Sequence, residues 1–161
     1  MNAQHAVTGA EPTDALRIEL TQTLTQVRKA LADTAHIIRA WFTPDAQDED
    51  YSLAWDVSPI VAQAISTMAN LATAHNLPIA DDSEPASATG GGALALHPHL
   101  RDAYGELVHA AAVAETLTTA DHTYGAIGWD LETAIDDVLI LVRDAARAGG
   151  LTAQRFWIGV L

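Results

Sequence analysis

The residues best equipped for chemistry in this chain are carboxylates and imidazoles set one helical turn apart. Asp33-x-x-His36 and Glu106-x-x-His109 each place a carboxylate and an imidazole at i, i+3, a spacing that puts both on one side of a helix. Ferritin-like bundles hold a di-metal centre with pairs of this kind turned inward. A wheel of about 100° per residue places Asp33 about 200° and His36 about 140° from the apolar Leu31. The same wheel places Glu106 about 100° and His109 about 200° from Leu107. Both pairs are therefore expected on a flank or in water. The apolar segment 59–75 supplies no carboxylate to bridge two ions.

His97-Pro98-His99 is a second metal candidate. Two imidazoles two residues apart in a loop can begin a divalent-cation site, but a third and a fourth ligand are needed. Asp102 and His75 are the nearest candidates by type, and nothing in the sequence brings them close. The simpler reading is a helix start that carries two histidines. Asp136-Asp137, with Asp130 and Glu132, could hold Mg²⁺ or Ca²⁺ or act as an acid and base. The preferred reading gives Asp130 and Glu132 the first turn of a helix, where carboxylates offset the dipole. No metal or cofactor is expected.

Signatures of catalysis are missing. Gly90-Gly91-Gly92 runs into Ala93-Leu94 and lacks the Lys-Ser/Thr of a phosphate loop. There is no Gly-x-Ser-x-Gly elbow and no His-Glu-x-x-His. With no cysteine, thiolate nucleophiles, disulfides and thiolate metal sites are excluded. Lys29 is the single lysine and lies in an ordinary polar stretch, a poor setting for Schiff-base chemistry. The chain reads as a non-enzyme with no catalytic residue.

The elements that carry these residues are helical. Alanine supplies about a fifth of the 161 residues, and it is the strongest helix former. The first helix is expected over 13–42, after a disordered N-terminal tail of residues 1–12. Its stripe runs Leu16, Leu20, Leu24, Val27, Leu31, Ala35 and Ile38, the three-and-four spacing of a bundle helix, and Thr43-Pro44 stops it. Gln47-Asp48-Glu49-Asp50 is read as an acidic connection and Tyr51–Trp55 as a short turn or loop. A second helix is expected over 59–75, with Ser58 as cap and Pro59 at the first position. It is nearly free of charge and is expected to be the most buried element. A long, polar, glycine-rich connection follows. The third and fourth helices are expected over 98–120 and 130–148, the last leaving through Gly149-Gly150. The fold class is thus all-α, an up-and-down four-helix bundle in a single domain over 13–161.

Of the four tryptophans Trp41, Trp55, Trp129 and Trp157, three fall near helix ends and are read as aromatic plugs; the functional alternative is an aromatic-lined pocket at one end. The tail is unusual in being apolar: Phe156, Trp157, Ile158, Val160 and Leu161 are its candidate partner-binding residues. It either folds back over its own bundle or docks on another chain.

Net charge is −13, from 21 acids against only 8 lysines and arginines. Too few cations remain for several phosphate contacts, which disfavours nucleic acid and anionic membrane surfaces. No apolar run reaches the ~20 residues of a membrane span, and the N-terminus carries no signal-peptide pattern, so a cytoplasmic location is expected. The sequence points to a helical protein acting through protein–protein contact, as a homodimer. The alternative is a metal- or small-molecule-binding bundle with enzymatic activity.

Overall fold

The computed structural model describes residues 2–42, 48–79, 93–120 and 125–151, with side chains at 14–42, 48–79, 95–119 and 129–151. Four helices account for nearly all of them: α1 (Asn2–Ala40), α2 (Asp48–Ala74), α3 (Ala93–Ala120) and α4 (Gly125–Ala148). They form the expected all-α four-helix bundle. The glycine-rich stretch, the expected tail at 1–12 and the apolar tail at 152–161 lie outside the residues whose side chains are described.

Around the bundle, α1 packs on α2 and α3, and α4 packs on the same two, which leaves α1–α4 and α2–α3 as diagonals. Four contacts fix the directions. Asp33 lies beside His99 and Glu19 beside His109, so α1 and α3 are antiparallel. Arg17 reaches the carbonyl of His75 at 3.5 Å, so α2 returns beside α1. A Cβ on Gly149 would touch Val57 at 3.7 Å, so α4 ends where α2 begins. All neighbours are antiparallel, as in an up-and-down bundle, but the chain order is up, down, down, up. Residues 80–92 therefore connect opposite ends of the bundle, between diagonal helices.

One cluster of buried residues runs through the centre. Leu20, Leu24 and Leu31 of α1, Leu96, Leu100 and Leu107 of α3, and Ile135, Val138 and Val142 of α4 are fully buried. Thr21, Thr23, Thr25 and Thr34 lie inside α1, and each hydroxyl donates to the carbonyl four residues earlier, at 2.7 to 2.8 Å, so that the buried hydroxyls of Thr23 and Thr34 have a partner within their own helix. Both α2 and α4 end in a left-handed residue, Asn76 (φ 54°) and Gly150 (φ 79°). The amides of Leu77 and Leu151 reach back to Ala72 and Ala146 at 2.9 Å, which satisfies carbonyls the last turn would otherwise leave open.

All four helices start earlier than the sequence suggests. α1 begins at Asn2, so the stretch expected as a disordered tail over 1–12 is its first turns, and it ends at Ala40. α2 begins at Asp48, not Pro59, and runs through its proline; Asp48, Glu49 and Asp50 are its first turn and offset the positive end of the dipole, not a connection. α3 begins at Ala93 and encloses Pro98. α4 begins at Gly125, so Asp130 and Glu132 lie beyond its first turn, which holds no acid. In α2 and α3 the apolar spacing outweighs the local stop signal: Ala54 and Val57 precede Pro59 and are buried, as are Ala95 and Leu96 before Pro98. The most buried helix is α3, not α2. The charge-free part of α2 exposes Ala62, Gln63, Ser66, Ala69 and Asn70, because α2 meets only the sparser of the helix contacts.

Candidate functional site

Asp33 is the one charged side chain buried among the described residues, at 4% exposure. Its carboxylate accepts a hydrogen bond from Lys29 Nζ at 3.0 Å, one turn earlier on α1, and His99 Nδ1 of α3 lies 3.9 Å away. Of the two places expected for Asp33, a flank or water, the structure gives the flank, and there the side chain is buried. The buried arc of α1 runs from Leu24 round to Ile37 and is centred near Thr34, because two neighbours cover it; measured from Leu31 alone, Asp33 falls opposite the core, yet it lies at the edge that α3 covers. Lys29 is accordingly not an idle exposed lysine but the partner of this carboxylate.

The other sequence candidates do not join it. His36 is exposed, as expected from the wheel. Glu106 is half-buried on the flank of α3. His109 is exposed and its Nε2 lies 2.8 Å from Glu19 Oε1, a pair with both members about half in water. Each motif meets residues outside itself: Asp33 bonds Lys29 within α1 and lies near His99 of α3, and His109 pairs with Glu19 across the α1–α3 seam. His97 and His99 lie within a helix, not in a loop. Two residues apart on a helix, they are turned about 200° from one another, so they cannot chelate one ion together. Asp136 and Asp137 are both exposed on α4. Among the described residues no group of three or more His, Asp or Glu converges.

The plug reading holds for Trp41, which is buried at 6%, and fails for Trp55 and Trp129, which are 60% and 65% exposed. Trp55 belongs instead to an aromatic trio that sequence reasoning missed. Phe42 follows the end of α1, and Tyr51 and Trp55 stand one turn apart on the first part of α2. The ring centroids are 5.5 Å apart for Phe42–Trp55, 6.0 Å for Phe42–Tyr51 and 6.4 Å for Tyr51–Trp55. The interplanar angles are 87°, 76° and 75° in the same order. The i, i+4 spacing of Tyr51 and Trp55 was the available signal, and it becomes visible only once α2 is taken back to Asp48. Phe42 also borders a groove of about 330 Å³ between α1 and α2, whose floor includes Ile38, Val61 and Ile65.

Phe156, Trp157, Ile158, Val160 and Leu161 lie outside the described residues. No described helix is long and apolar enough to cross a membrane. No protein-family model, no curated protein and no solved structure matches this chain.

Proposed function

We propose that this protein is a non-enzymatic helical bundle that acts through protein–protein contact, in the first instance with a second copy of itself. The observation that carries this is the outward face of α2. From Val57 to Ala74 the helix has no charged residue, and Ala62, Ser66, Ala69 and Thr73 are exposed along it at steps of four, three and four. A chain with 21 acids has little difficulty placing a carboxylate on an exposed helix face, and two such small-residue faces can approach closely. The apolar C-terminal residues 156–158, 160 and 161 add to the association. A cytoplasmic protein with no nucleic-acid or membrane partner fits the shortage of cations.

Sedimentation equilibrium over a hundredfold concentration range tests this reading. The expected result is a dimer that the double substitution Ser66→Glu/Ala69→Glu converts to a folded monomer. A strictly monomeric wild-type chain overturns it. Truncation after Gly150 separates the two contributions: lower thermal stability at unchanged mass assigns the tail to its own bundle, and loss of the dimer assigns it to the partner.

The second reading, a metal- or small-molecule-binding bundle, is favoured by one pairing only, Asp33 with His99, and Lys29 already occupies that carboxylate. Stoichiometric Zn, Fe or Mn in the purified protein would reverse the ranking.

A further inference from the structure

The aromatic trio at the junction of α1 and α2 makes three T-shaped contacts, a common packing of aromatic rings whose spacing also meets the requirement for a cage around a cation. A cation about 4.3 Å above each of three mutually perpendicular rings requires ring centroids about 6 Å apart, since neighbouring centroids then span the diagonal of a square. Phe42, Tyr51 and Trp55 have pairwise separations of 5.5 to 6.4 Å and angles of 75° to 87°. They are 39%, 44% and 60% exposed, an uncommon outlay of aromatic surface for an end cap. Ring faces carry negative potential and rank among the best desolvated contacts for an alkylated ammonium group.

The surrounding charge has the matching sign. Asp48 precedes Tyr51 by one turn and shares its side of α2; Glu49 and Asp50 adjoin it, and Asp56 adjoins Trp55. Phe42 sits at the carboxyl end of α1, the negative end of its dipole. The net charge of −13 draws cations toward the whole molecule. Arg39 shares with Phe42 the lining of the adjacent groove, so its guanidinium is the charge that a ligand must outcompete.

We propose that Phe42, Tyr51 and Trp55 form an open cage for a quaternary or methylated ammonium group, with Asp48 supplying the opposing charge. The group is carried either by a free small cation or by a methylated lysine side chain of a protein. The proposal does not rest on self-association, since the trio lies outside the charge-free stretch of α2.

The test uses the full chain and two probes of equal shape, choline and its neutral isostere 3,3-dimethylbutan-1-ol, followed by NMR of the Trp55 indole and of the ligand methyl protons. Choline is expected to saturate, with upfield methyl shifts and at least tenfold tighter binding than the neutral alcohol. Trp55→Ala is expected to abolish the shift while helicity by circular dichroism is kept, and Asp48→Asn to weaken binding severalfold. A trimethyl-lysine peptide forms the second arm: binding more than tenfold tighter than choline assigns the source to a protein side chain, and equal or weaker binding to a free cation. Absence of saturation by either cationic probe, equal binding of the neutral alcohol, or undiminished choline binding by Trp55→Ala each overturns the proposal.

Discussion

Asp33 shows how a single buried charge is made tolerable. Its side chain is 6% exposed while that of Lys29 is 43% exposed, so an anion almost out of water is held by a cation still partly in it. Losing the cation removes a charged partner from a nearly buried carboxylate, whereas losing both costs little if the space is filled. Lys29→Met is therefore expected to lower stability by roughly 1–3 kcal/mol. The double variant Lys29→Met/Asp33→Leu is expected to recover to within about 1 kcal/mol of wild type. Urea unfolding of the three proteins checks both figures. The exposed His109–Glu19 pair sets the opposite limit, and His109→Ala is expected to change stability by no more than about 0.5 kcal/mol, read from the same unfolding curves. The exposure of His36 was legible in the sequence because it lies opposite the whole buried arc of α1. The burial of Asp33 was not, because a wheel drawn from one leucine cannot show how far a second neighbouring helix extends that arc.

At the scale of elements, proline and the helix ends decide what could be read. Proline lacks the amide that would bond four residues back and its ring crowds that carbonyl, a penalty of about 3 kcal/mol in a helix interior. On that ground α2 is expected to start at Pro59. It does not, because Ala54 and Val57 bury their side chains only if the helix continues upstream, and Pro59 itself is exposed, where water can take up the carbonyl it leaves open. Pro59→Ala is accordingly expected to stabilise the protein by about 1–3 kcal/mol, raising the thermal midpoint without changing the helix content. The C-terminal ends read more easily, since left-handed glycine is a local signal. At Gly150 a Cβ would meet nothing within 4 Å, so Gly150→Ala costs only the backbone strain, about 1–2 kcal/mol. Asn76, in the same conformation, is expected to tolerate glycine with a gain of up to about 1 kcal/mol, and a denaturant midpoint for each variant tests the pair.

For the whole molecule, four apolar stripes were enough to give the helix number and the class, because each stripe must find a partner to leave water. They could not give the chain order, which depends on contacts such as Asp33–His99 that carry no sequence signature. That order has a measurable demand. Leu77 to Ile79 turn back beside Arg28, and α3 begins beyond the level of Asp33, so the two ends that residues 80–92 join stand far apart along the bundle. Thirteen residues reach about 45 Å when extended, and three reach little more than 10 Å. Deleting 83–92 is expected to abolish the cooperative thermal transition, while ten Gly/Ser residues inserted at Gly91 are expected to cost less than about 1 kcal/mol. Removal of residues 1–12 is expected to leave that transition in place, since among the residues of α1 whose side chains are described the buried stripe begins at Leu20. A last consequence follows from the up, down, down, up order. In a strictly alternating bundle both chain ends emerge at one pole, whereas here α1 enters at one pole and α4 leaves at the other, some 36 Å away along the 24 residues of α4. The molecule is therefore a strut: cargo fused before α1 and after α4 would be held apart, and a fluorophore pair placed there should report a fixed, long separation.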